Sequence, residues 1–216
     1  MKINLILLLT LITFNISSQS LFNKYEKGTL YLRNGANLKG FIKITVDNKI
    51  KFKKTLEDKK QIFDYKKVDK LKFSFKDEYV YKITAKRKKT LIKRTIKGKL
   101  DLYTARAQSP GIPNGNLGLS TTGGGNYTVY YIGRENSDLI EKIENEPSKK
   151  KFLETLSKYT ADCQDFLNKI KDKESIEYYF ENIESHSGGD AKNKVSKIEN
   201  MVNYYNNNCK EKVITK

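Results

Sequence analysis

The sequence predicts an α+β protein: an N-terminal antiparallel β barrel or sandwich followed by a small helical C-terminal region. Three observations carry that prediction. Short apolar and polar alternations recur between residues 28 and 134, the period becomes helical after Pro147, and the positive charge is confined to the first of these two parts. With 216 residues, 14 Tyr, 10 Phe and 38% hydrophobic composition, the chain can build one or two packed cores, which argues against disorder throughout.

Residues 1–20 read as a cleavable export leader. Met1 and Lys2 form a positive end, and residues 3–16 form an apolar run around Leu5, Leu7, Leu8, Leu9 and Leu11. Asn15, Ser17, Ser18 and Gln19 stop that run well short of the roughly 20 apolar residues a bilayer-crossing helix needs. Cleavage after Ser18 or Ser20 leaves no transmembrane anchor. No cysteine stands near the cut for lipid attachment, so the expected product is exported and soluble, periplasmic or extracellular.

Residues 21–135 form the expected all-β domain. The run 29–32 meets Asn34-Gly35, a dipeptide that suits a tight hairpin because both residues tolerate positive φ. The run 38–46 meets Asp47-Asn48 and turns back into 50–54, where Ile50 and Phe52 face the core while Lys49, Lys51 and Lys53 face water. Runs 62–65, 68–75, 79–83, 90–96, 99–104 and 127–132 continue the series, with Leu71, Phe73 and Phe75 as a period-two stripe. Eight or nine short strands fit a small barrel or sandwich. Residues 109–126 hold six Gly and two Pro with few bulky side chains, so they read as a loop, more disordered than functional.

Residues 136–216 carry the helices. Phe152, Leu153, Leu156 and Tyr159 form one stripe, and Cys163, Phe166, Leu167 and Ile170 the next. Ile176, Tyr179, Phe180 and Ile183 form a third, and Ile198, Val202, Tyr205 and Cys209 a fourth. Breaks fall near Thr160, Lys173 and the turn 185–190. Cys163 and Cys209 are the two cysteines of the chain, and in an exported protein such a pair is expected to join. In the chain-entropy picture that bridge contributes about 4 kcal/mol.

The formal charge of +17 resides in the β part: 27 Lys and Arg against 10 Asp and Glu in 21–135, and 14 against 15 in 136–216, with Lys2 as the remaining charge. Such a field attracts polyanions. Lysine outnumbers arginine 37 to five, whereas arginine supplies the forked geometry that base and phosphate recognition favours, and export also argues against nucleic acid. The densest basic cluster, Lys86, Arg87, Lys88, Lys89, Lys93 and Arg94, reads first as a charged hairpin end on a solvated sheet face, with anion contact as the alternative.

Catalytic signals are weak. His186 is the one histidine and lies in a Ser-Gly turn without a Gly-x-Ser-x-Gly elbow. The glycines at 123–125 lack the Gly-Lys-Ser/Thr of a phosphate loop, and no cofactor is implied. Tyr79, Tyr81, Tyr127, Tyr130 and Tyr131 read as cross-strand packing rather than a sugar platform.

The segments Gly28-Thr29-Leu30-Tyr31-Leu32-Arg33-Asn34-Gly35, Leu38-Lys39-Gly40-Phe41-Ile42 and Ile50-Lys51-Phe52-Lys53 resemble an uncharacterised group of exported proteins of Bacteroidota type. So do Gly98-Lys99-Leu100-Asp101-Leu102-Tyr103, Tyr159-Thr160-Ala161-Asp162-Cys163 and Tyr204-Tyr205-Asn206. The resemblance implies a β domain with a helical tail in an envelope or extracellular setting, and it transfers no catalytic residue. The expected function is a non-enzymatic envelope module that contacts a protein or an anionic surface. A secreted or periplasmic hydrolase and a structural or assembly protein are the alternatives.

Overall fold

The computed structural model describes residues 24–74, 77–84, 87–108, 112–113, 121–122, 126–144, 150–180 and 197–209. The export leader, Lys86, His186 and most of the Gly-rich segment lie outside the described residues.

The strands are β1 (Glu26–Leu32), β2 (Asn37–Ile44), β3 (Ile50–Lys53), β4 (Gln61–Phe63), β5 (Val68–Phe73), β6 (Glu78–Ile83), β7 (Lys89–Ile96), β8 (Leu100–Gln108), β9 (Ile112–Pro113), β10 (Thr121–Thr122), β11 (Asn126–Arg134) and β12 (Glu141–Ile143). Ten of them build one antiparallel sheet in the order β12-β11-β8-β7-β6-β5-β1-β2-β3-β4. The sheet is open: β4 and β12 are its edges. β9 and β10 pair with each other inside the segment expected to be loop, because a backbone ladder needs no bulky side chains. β12 lies beyond residue 135 and adds to β11 through Tyr130↔Ile143 and Ile132↔Glu141.

One loop device recurs. Gly35 N–H donates to Leu32 O at 3.0 Å while Leu32 N–H donates to Ala36 O at 2.8 Å, a three-residue loop that ends in Gly35 at φ 86. The pattern repeats at 45–49 with Asn48 at φ 60 and at 84–88 with Arg87 at φ 55. The Asn34-Gly35 expectation is therefore corrected: Gly35 alone takes positive φ, since a type I turn closed by one left-handed residue matches the strand twist.

The sheet rolls on itself at its β4 end. Tyr81 Oη donates to Asn48 O at 2.6 Å, and Leu91 N–H donates to Asn48 Oδ1 at 3.2 Å, so the β2–β3 turn docks on β6 and β7. Inside the roll, Leu30, Ile42, Ile50, Phe52, Val68, Leu71, Tyr81 and Leu91 form one buried cluster.

Helices cover the same sheet face at the other end. They are α1 (Lys150–Thr160), α2 (Gln164–Lys169), α3 (Lys173–Phe180) and α4 (Lys197–Asn208). Asp172 caps α3, its Oδ1 accepting from Ser175 N–H at 2.7 Å. Their apolar stripes join Leu100, Leu102, Ile132 and Ile143 of the sheet with Phe152, Leu156, Phe166, Phe180, Met201 and Tyr205 in a second core. Each such aliphatic or aromatic side chain contributes roughly 1.5–3 kcal/mol by leaving water. The bridge Cys163–Cys209 spans 46 positions of sequence and ties the start of α2 to the end of α4.

Candidate functional site

Because side chains alternate along a strand, the inward positions of β1, β2, β3 and β5 fill the roll and the outward positions share one face. The outward set includes Lys27, Lys39, Lys43, Lys51, Lys53, Lys70 and Lys72. Across the ladders Thr29 stands opposite Lys39 and Lys72, Phe41 opposite Lys27 and Lys53, Tyr31 opposite Lys70, and Lys43 opposite Lys51. Glu78, opposite Lys72 on β6, is the first carboxylate in that register. Lys43 and Lys51 are the like-charged residues of this set that stand directly opposite each other, an arrangement that works against folding.

Lys27, Thr29, Lys39, Phe41, Lys72 and Ser74 line a shallow recess of about 390 Å³, floored by Gly28, Gly40 and Phe73. A Cβ on Gly40 would stand 2.8 Å from the Phe52 ring, so glycine lets the core aromatic fill the inner side while the outer side stays open. Lys27, Lys39 and Lys72 are exposed. Lys27, Lys39 and the Thr29 hydroxyl, with Lys72 shared with Glu78 and the Ser74 hydroxyl given to Lys27 O, make the recess suited to an anion.

Two polar clusters, one on this face and one under the helices, hold the rest of the fold together. In the first, Arg94 bridges Glu78 and Asp101; it pairs with Glu78 through Nη2 and lies 3.6 Å from Asp101 through Nη1. Lys72 reaches Glu78 at 3.2 Å. Asp101, 1% exposed, also accepts from Tyr103 Oη at 2.7 Å and Gly98 N–H at 3.0 Å. Burial, and then the bond to Asp101, push the Tyr103 phenol well above its ordinary range.

The second cluster locks helix to sheet. Asn206 of α4 accepts from Leu100 N–H at 2.9 Å and donates to Leu100 O at 3.0 Å, completing the backbone pairing of a strand residue with its side chain. Gly98 permits this approach, because a Cβ there would overlap the Asn206 amide. Tyr205 Oη donates to Asp162 at 2.7 Å and accepts from Arg134 Nη1 at 2.6 Å, and Lys99 Nζ reaches Asp162 at 3.3 Å and Cys209 O at 2.9 Å. Partial burial works against the Asp162 charge, but the bonds from Tyr205 and Arg134 outweigh it and hold the carboxyl at about 2. Burial and the bond to Asp162 raise Tyr205 to about 12.

No family model, curated protein or solved structure matches this chain.

The depressed Asp162 sets a pH expectation. Its stabilising share is complete above the ordinary carboxyl value of 3.8 and is lost as pH falls towards about 2. Denaturant midpoints measured between those values should fall with acid, and Asp162→Asn should flatten that limb. An unchanged slope in the variant would refute the assignment.

The structure disperses the basic cluster read from the sequence. Arg87 forms the β6–β7 tip beside Lys88, Lys89 lies 5.0 Å over the Tyr65 ring, Lys93 pairs with Asp77 at 2.7 Å, and Arg94 is taken by Glu78 and Asp101. Lys93 and Arg94 are adjacent in a strand and so point to opposite faces. The five tyrosines likewise do not share one surface: Tyr79 and Tyr81 pack in the roll, Tyr130 under the helices, and Tyr131 and the exposed Tyr127 on the other face. Among the described residues no group of three or more His, Cys, Asp or Glu is placed to hold a metal ion, and no helix is long and apolar enough to cross a membrane. The sequence shows Lys51 and Lys53 facing water, but the continuous lysine face depends on strand register because its members are scattered in sequence: Lys27-Thr29-Tyr31, Lys39-Phe41-Lys43, Lys51-Lys53, Lys70-Lys72.

Proposed function

We propose that this protein is an exported, non-enzymatic envelope module that holds an anionic surface against the outward lysines of β1, β2, β3 and β5. The observation that carries the reading is the register of those lysines, which stand opposite Thr, Tyr, Phe or one another, with Glu78 at the margin. A broad field of one sign attracts an extended anion along its length, whereas catalysis needs different groups converging on one point. Arg94 and Arg134 are engaged by carboxylates of the fold and Lys72, half-exposed, is shared with Glu78, so the remaining lysines supply most of the charge for a partner. The leader at 1–20 and the resemblance to exported Bacteroidota proteins support the envelope setting.

The test is retention on an immobilised polyanion, dextran sulfate, at low and high salt. The triple change Lys39→Gln, Lys51→Gln and Lys72→Gln should weaken retention about fivefold per lysine at low salt. The matched change at Lys150, Lys171 and Lys173 of the helical region, whose side chains are 91%, 65% and 69% exposed, should have little effect. Equal losses from both triples would reduce the reading to net charge alone and overturn it.

A further inference from the structure

The lysine face carries a second feature that bare attraction to anions leaves unexplained. Ile62 stands opposite Lys51 in the register, so it shares the outward face, and it is 53% exposed. Leu56, 49% exposed, is held beside the face because Lys53 Nζ donates to its carbonyl at 2.6 Å. Val46 is 101% exposed in the loop between Lys43 and Lys51. Single exposed apolar residues are ordinary on a protein surface. Here Ile62 lies on β4, Leu56 in the β3–β4 loop and Val46 in the β2–β3 turn, all at the β3–β4 end of the lysine field, and among the described residues β4 is an edge strand.

We infer that the anionic surface is a phospholipid bilayer with negatively charged headgroups, met by the β3–β4 margin with Val46, Leu56 and Ile62 entering the interface while the lysines lie along the headgroups. This rests on the reading of the lysine face as the contact. Cationic side chains beside apolar ones match the two layers of a bilayer interface, charge outside and hydrocarbon beneath. A soluble polysaccharide satisfies the lysines and offers nothing to the apolar trio. A second copy of the chain is disfavoured because two lysine faces repel. From β5 to β4 the face crosses four strand spacings, about 19 Å, enough to span several headgroups.

The chain contains no Trp, so Ile62→Trp introduces a single indole as a reporter of insertion. The protein lacking residues 1–20 is mixed with vesicles of phosphatidylcholine alone or with phosphatidylglycerol, at low and high salt. Flotation with the phosphatidylglycerol vesicles at low salt is expected, with a blue shift of the indole emission. The triple change Val46→Ser, Leu56→Ser and Ile62→Ser should lower vesicle partitioning about tenfold or more while leaving retention on dextran sulfate unchanged. If the serine triple floats like the wild type, or the indole shows no shift, the bilayer inference falls and the lysine face stands as a site for a soluble polyanion. If Lys39→Gln with Lys51→Gln and Lys72→Gln leaves both dextran sulfate and vesicle binding intact, the reading beneath it falls as well. Thermal unfolding of each variant near the wild-type temperature certifies that these surface changes leave the fold in place.

Discussion

Reduction of Cys163–Cys209 is expected to lower stability by about 4 kcal/mol, because the bridge closes a long loop and removes that much chain entropy from the unfolded state. For a chain of this size the loss corresponds to a fall in unfolding temperature of roughly 8–16 °C. The consequence extends past the helices. α4 supplies Met201, Val202 and Tyr205 to the same core as Leu100 and Leu102 of β8 and Ile132 of β11, and Asn206 completes the backbone bonds of Leu100. Freeing the end of α4 therefore uncovers the sheet. Calorimetry with and without reductant, and on a Cys163→Ala, Cys209→Ala variant, should show one transition displaced to lower temperature. A wild-type transition indifferent to reductant would show that tertiary packing alone holds α4.

Local signals were legible and long-range ones were not. Turn chemistry at Asn34-Gly35 and Asp47-Asn48 marked the first two hairpins, and the 3.6-residue stripes marked the helices, because those patterns lie within a few residues of each other. The cysteine pairing followed from the expected compartment and the positions of both residues on apolar stripes. The placement of β1 between β2 and β5 depends on Leu30 meeting Leu71 across a large stretch of chain, which no local pattern encodes. β12 was missed because Glu141-Lys142-Ile143 is too short to alternate visibly, and it forms only where β11 offers a free edge. The same distinction separates the two basic features. Density along the sequence pointed to residues 86–94, yet alternation sends Lys93 and Arg94 to opposite faces. The lysine face has low density along the sequence and becomes continuous only once the registers of four strands are set.

Arg94→Met is the substitution expected to destabilise the sheet most, by about 3–5 kcal/mol, since it removes one partner of a buried charge cluster. Arg94 and Glu78 are each 14% exposed and Asp101 1%, so neither carboxylate can recover its lost partner from bulk water. Lys72 still reaches Glu78, and Tyr103 and Gly98 still donate to Asp101, which places the cost below that of two bare buried anions. Arg94→Lys should fall between, because a single ammonium cannot fork to both carboxylates. The decisive comparison is the double variant Arg94→Met with Glu78→Leu. Removing both members of the pair replaces a desolvated ion pair by apolar contact beside Val80 and Ile92 while Asp101 keeps the bonds from Tyr103 and Gly98, so the double variant should recover the share of the loss that belongs to Glu78. Denaturant midpoints for the three proteins test this, and a single-variant cost below about 1 kcal/mol would show that Arg94 is solvated as a surface charge. That outcome would also return Arg94 to the set of cations open to a partner, whereas the full cost would fix it as part of the scaffold on which the lysine face is built.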